Sequence, residues 1–109
     1  MSTLIRGCLA AVLLASVQGA LAAGGKAVYE STCIACHGAD GAGTIPGTPD
    51  FTKKSGPLSK PDAVLLKNMT EGFQSPGSAL AMPPKGGNPN LSAEELTAVL
   101  QYMRGTFDR

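Results

Sequence analysis

Cys33-Ile34-Ala35-Cys36-His37 is the stretch on which the reading of this chain turns. Two cysteines two residues apart sit on one side of a turn, close enough to form thioethers to the two vinyl groups of one porphyrin. The histidine that follows is placed to offer an imidazole nitrogen to the iron. A CxxC pair has other uses: a disulfide, half of a zinc site or a thioredoxin-like redox pair. Zinc needs two more ligands, and the third cysteine is Cys8, near the N-terminus, while His37 is the one histidine of the chain. A thioredoxin motif follows a strand, and no β-branched run precedes Cys33. The motif therefore reads as a site of covalent haem attachment.

Upstream of the motif the sequence changes character. Arg6 is the sole early charge, Gly7 to Val17 is almost wholly apolar, and Ala20-Leu21-Ala22 supplies small residues before a cleavage point. Residues 1–22 read as a secretory signal peptide cut after Ala22 or one residue later, leaving a single domain over residues 23–109. An uncleaved membrane anchor is the alternative, but Gln18 and Gly19 interrupt the apolar run and a span needs about 20 apolar residues. A lipoprotein reading through Cys8 fails because that cysteine precedes the apolar run. The 109-residue chain has a formal net charge of +1, and losing Arg6 with the leader leaves the basic and acidic side chains in balance. That balance argues against a nucleic-acid partner. With no Trp, two Tyr and three Phe against 14 Gly and 8 Pro, the domain is short of large apolar side chains. A flat apolar cofactor at the centre would serve as core as well as active group.

Periodicity and punctuation place three helices. Gly24 to Thr32 runs into the motif, with Tyr29 four residues before Cys33. From Gly38 to Gly56 glycines and prolines break every period, and a loop of that length in a small domain calls for a functional reason. Ser59 to Thr70 reads as the next helix, capped by Ser59, with Pro61 in its first turn and a stripe of Leu65, Leu66 and Met69 with Val64 at its edge. Phe73 to Leu80 is a loop. Leu91-Ser92-Ala93-Glu94-Glu95-Leu96 then combines a capping box with a hydrophobic staple, and Leu96, Val99, Leu100 and Met103 fall at helical spacing. Glu94 and Glu95 belong to the cap and the solvated face, not to acid/base chemistry. No repeat and no strand is evident.

A second axial ligand is sought among four methionines, of which Met1 leaves with the leader. Met69 and Met103 lie on apolar helix faces, where methionine packs. Met82 lies in a loop, followed by Pro83 and Pro84 and bounded by Gly86 and Gly87, so its thioether can be aimed at the iron. The competing reading makes it an apolar residue beneath an open iron.

From residue 23 onward the chain resembles a small bacterial monohaem class I cytochrome c. The resemblance rests on CIACH, on Ala81-Met82-Pro83-Pro84-Lys85-Gly86-Gly87, which is similar to the distal loop of the c5-like branch, and on the C-terminal segment ending in Tyr102-Met103-Arg104. It implies an all-α class I cytochrome c fold, three to four short helices and long loops wrapped around one haem c held by two thioethers. It also implies that Gly25, four residues before Tyr29, lets the first helix cross the last one closely. The iron would be ligated by His37 and Met82. The carbonyl of Pro49, twelve residues after His37, would accept the hydrogen bond of the axial imidazole, with Pro46 as competitor, and Phe51 would touch the porphyrin. The function implied is that of a periplasmic electron carrier, not an enzyme, passing single electrons from a donor dehydrogenase or cytochrome complex to an acceptor oxidase or reductase. The rivals are an electron-transfer subunit of a larger periplasmic oxidoreductase and a haem enzyme or sensor with an open sixth position. Partners would meet the haem edge near Lys85, and Lys53, Lys54, Lys60 and Lys67 would form a basic side for acidic partners.

Overall fold

The computed structural model describes residues 24–108. The expected signal peptide, Cys8 and the cleavage point lie outside the described residues. Helix begins at residue 24 and continues to His37, longer than the sequence indicated, because its middle is a π-helical turn over Tyr29–Cys33 followed by an α-helical turn over Ile34–His37. The Ile34 N–H reaches back five residues to the Tyr29 carbonyl. This wide turn is of the kind that collects at functional sites, and it delivers the helix into the CxxCH motif. Gly38, at φ 82°, ends the helix.

A middle helix spans Asp62–Glu71 and a C-terminal helix Ala93–Phe107, with short 3₁₀ turns at Pro57–Ser59 and Pro84–Gly87. Ser59 does not cap the middle helix. Its hydroxyl donates to the Gly56 carbonyl at 2.6 Å, and the N-cap is Pro61 without a side-chain bond. Lys60, the residue before that proline, is extended at φ −78°, ψ 151°, as a following proline ring favours, so the α-helix cannot run on from Ser59. The C-terminal helix starts as its sequence dictates. Ser92 Oγ accepts from the Glu95 N–H and Glu95 Oε1 from the Ser92 N–H, both at 3.1 Å. Among the described residues there is no strand, only an isolated bridge in which Phe73 and Met82 exchange N–H···O bonds of 3.0 and 2.8 Å.

The first and last helices meet at Gly25. A Cβ there would lie 2.1 Å from the Ala98 carbonyl oxygen and 3.0 Å from Tyr102 Cβ, so the two backbones approach as only glycine allows. The expected crossing is thus present. Below it Tyr29, fully buried, packs its ring 5.4 Å from both Tyr102 and Phe107, and its hydroxyl donates to the Gly38 carbonyl at 2.5 Å. Leu96, Val99, Leu100 and Met103 form the buried stripe of the last helix, joined by Leu91 and Phe107. In the middle helix Leu65 is buried, Leu66 and Met69 are half-buried, and Val64 is exposed. Arg104 ties the last helix to the entry of the middle one. Its guanidinium donates to the Leu58 carbonyl (2.7 Å), the Lys60 carbonyl (2.8 Å) and the Asp62 carboxylate (2.7 Å).

Candidate cofactor site

The loop after the motif is built on the end of the first helix. Gly43 N–H donates to the His37 carbonyl (2.8 Å), and Thr44 gives its N–H to Cys36 (2.9 Å) and its hydroxyl to Ala35 (2.6 Å). These bonds satisfy carbonyls that a helix end leaves open, and they fold the glycine-rich segment back along the motif. Phe51 N–H then donates to the Gly41 carbonyl at 2.8 Å, which sets the Phe51 ring against the His37 imidazole with centroids 4.4 Å apart and planes 18° from parallel.

Cys33, Cys36, His37, Pro49 and Met82 all line one cavity of about 550 Å³, within the range of small-molecule and cofactor sites. Three different parts of the chain are thereby brought to one wall system. The remaining lining is chiefly apolar, with Leu58, Leu65, Phe73, Leu96, Leu100 and Met103 prominent. Met69 lines it too, so all three methionines of the described residues face this space. Met82 differs from the other two in its setting: it is held by the bridge to Phe73, and Gly72 turns so tightly beside it that a Cβ would stand 2.9 Å from the Met82 carbonyl oxygen.

Both motif cysteines are free thiols, Cys36 exposed and Cys33 half-buried. Burial, reinforced by Cys36, pushes the Cys33 thiol up to about 11. Burial also holds the His37 imidazole below its ordinary range, and hence neutral near pH 7, the form that ligates a metal. His37 Nδ1 is buried and has no hydrogen-bond partner. The bond expected to Pro49 is not formed in this structure, nor is one to Pro46, and the imidazole lies with its face on the Phe51 ring. A cavity with an apolar lining, two free thiols and a neutral imidazole with an unpartnered nitrogen fits a flat apolar cofactor tethered at the motif. Among the described residues no three His, Cys, Asp or Glu side chains gather to hold a bare metal ion, and no helix is long and apolar enough to cross a membrane.

Helices and loops folded on a cavity with CxxCH in its wall define a c-type cytochrome. The sequence comparisons agree: residues 20–103 match the family described as cytochrome c oxidase, cbb3-type, subunit III, and the chain belongs to this cytochrome c family, with a fold compatible with the small monohaem class I type. It is 34% identical over 95 residues to cytochrome c-555 of Prosthecochloris aestuarii, covering 85% of this chain and 95% of that protein. It is 33% identical over 84 residues to cytochrome c-555 of Chlorobaculum thiosulfatiphilum, covering 77% and 94%. Cytochrome c-554(548) of Halomonas halodenitrificans is 32% identical over 71 residues, covering 65% and 80%. No solved structure gives a significant match. The chain thus carries haem c and acts in electron transfer with other redox proteins.

The sequence missed the π turn, the Phe51 stack and the Phe73–Met82 pairing. Only the last had a signal, Gly72 and Pro83 bracketing a ten-residue excursion.

Proposed function

We propose that the chain is a periplasmic one-electron carrier, not an enzyme, with the haem anchored through Cys33 and Cys36 and the iron held between His37 and Met82. The observation that carries this reading is the convergence of those four side chains on one apolar cavity. When bound, the iron accepts and releases one electron, and no substrate is transformed. His37, its ring stacked on Phe51, supplies a neutral nitrogen. Pro49, already in the wall, is the acceptor for its Nδ1 proton once the cofactor seats the ring. Met82 supplies a thioether that favours the reduced iron and so raises the potential. The leucines exclude water, which limits reorganisation when the charge changes. Residues 1–22 direct the chain across the inner membrane and are removed.

A second reading, an electron-transfer subunit of a larger oxidoreductase, is favoured by the description of the matched family as an oxidase subunit. The free carrier is preferred because the chain spans 95% of the length of one c-555 relative and 94% of another. Optical spectra of the ferrous protein with and without carbon monoxide test the reading. A low-spin spectrum indifferent to the gas supports the carrier, and prompt carbon monoxide binding overturns it in favour of a ligand-binding haem. Mass spectrometry should find one haem on a chain lacking about 22 residues, and size-exclusion of the native extract separates free carrier from subunit.

A further inference from the structure

The charges around the cavity are one-sided. Among the described residues Lys60 and Lys85 line it and no aspartate or glutamate does; the other titratable ones there are Cys33, Cys36 and His37. Haem c is not uniformly apolar, since the edge opposite its two thioether bonds carries two carboxylates. The cavity must meet those carboxylates at the end away from Cys33 and Cys36. The backbone that carries Lys85 lies at the cysteine end. A Cβ on its neighbour Gly86 would stand 3.0 Å from Thr32 Cγ2, and Thr32 directly precedes Cys33. Lys60 stands on a different wall, the stretch that enters the middle helix.

Lys60 is also held as a residue with a task would be. Its N–H donates to the Pro57 carbonyl (3.2 Å), and its own carbonyl is gripped by the Arg104 guanidinium (2.8 Å). The side chain is half-buried, with the ammonium 4.7 Å from the centroid of the Phe73 ring, another cavity residue. The nearby carboxylate of Asp62 is taken by Arg104, and Lys60 makes no ion pair among the described residues. A cation held against an aromatic face at an apolar wall, with no anion to neutralise it, is prepared for one.

We propose that Lys60 receives a carboxylate of the haem, with Phe73 supporting the ammonium from behind. The proposal rests on Cys33 and Cys36 being the haem anchors, and the two claims fail separately in one experiment. The purified holoprotein, without any partner, is treated with a water-soluble carbodiimide. This reagent joins a contacting carboxylate and amine as an amide and takes up the released water as a urea. After proteolysis the peptide containing Cys33 to His37 still carries the haem, so a carboxylate joined to Lys60 Nζ brings the Lys60 peptide with it. The expected product is that branched peptide, lighter than its parts by one water. Lys60→Arg, which keeps the charge but cannot form the amide under these conditions, should lose the branch while keeping the visible spectrum, and Lys85→Arg should retain it. Haem peptide recovered with Lys60 unmodified, or joined through Lys85 instead, overturns the assignment of Lys60 alone. A motif peptide without haem overturns the anchors and the proposal together.

Discussion

Replacing Gly25 with alanine tests the helix crossing on which the rest of the fold hangs. The new Cβ would lie 2.1 Å from the Ala98 carbonyl oxygen and 2.5 Å from its carbon, both main-chain atoms that no rotamer change can move. The helices must part by about 1 Å, or the first turn must peel away, and either loosens the packing of Val28 and Tyr29 against the last helix. Overpacking of this kind costs about 1–3 kcal/mol, offset by about 1 kcal/mol of helix propensity gained on leaving glycine. Gly105, also helical and with nothing within 4 Å of its own Cβ position, isolates the propensity gain. Urea denaturation of the two holoproteins should therefore separate Gly25→Ala from Gly105→Ala by about 1–3 kcal/mol, with Gly105→Ala at or above wild type. Equal midpoints for the two variants would show that the crossing is not close in solution, and the argument from Ala98 would fall.

Three further outcomes follow from the site. Tyr29→Phe removes the hydroxyl that meets the Gly38 carbonyl at 2.5 Å and leaves that acceptor only the longer bond from the Gly41 N–H at 3.3 Å, so unfolding free energy should drop by about 0.5–1.5 kcal/mol by urea titration, with the haem spectrum unchanged. Met82→Ala should open the iron, lower the midpoint potential and admit carbon monoxide, whereas Met69→Leu and Met103→Leu should cost packing only; a wild-type spectrum in Met82→Ala sinks the ligand assignment. The Thr52 hydroxyl and N–H, donating at 2.6 and 2.8 Å, hold the Asp50 carboxyl below its ordinary range. Because the folded-state value is depressed, the stabilisation is present above the unfolded pKa and is lost as pH falls through the folded one. Thr52→Val should raise the Asp50 titration midpoint in an NMR pH series, and an unmoved midpoint would refute the cause assigned here.

What was legible in the sequence was what local chemistry decides. Ser92 and Glu95 cap a helix wherever they stand, Leu96, Val99, Leu100 and Met103 need only the helical period, and glycines deny a period to residues 38–56. The CxxCH spacing carried the cofactor, and the loop setting of Met82 brought it to the same cavity as the motif. The failures lie where a distant residue decides. Ser59 has the composition of a cap, yet Pro61 holds Lys60 extended, and Arg104, more than forty residues downstream, takes the carbonyls that define the turn. The face-to-face contact of Phe51 with the His37 imidazole is likewise a meeting of separate segments, which the change from the family's leucine did not reveal.

Phe73 shows how so small a domain coordinates both ends of its site. Its backbone exchanges two hydrogen bonds with Met82, fixing the strand of loop from which that thioether projects, while its ring carries the Lys60 ammonium. Lys60 in turn is fixed by Arg104, which rides on the same helix that contributes Leu96, Leu100 and Met103 to the cavity. The chain from Met82 through Phe73, Lys60 and Arg104 therefore closes on the helix that Gly25 and Tyr29 lock to the CxxCH segment. With few large apolar residues to spend, the protein sets the Met82 loop and the Lys60 ammonium through one aromatic side chain, and references both to the crossing of its first and last helices. The places of the Met82 thioether and of the Lys60 charge are then properties of the same frame, which is what a carrier needs if its potential is to stay constant while partners come and go.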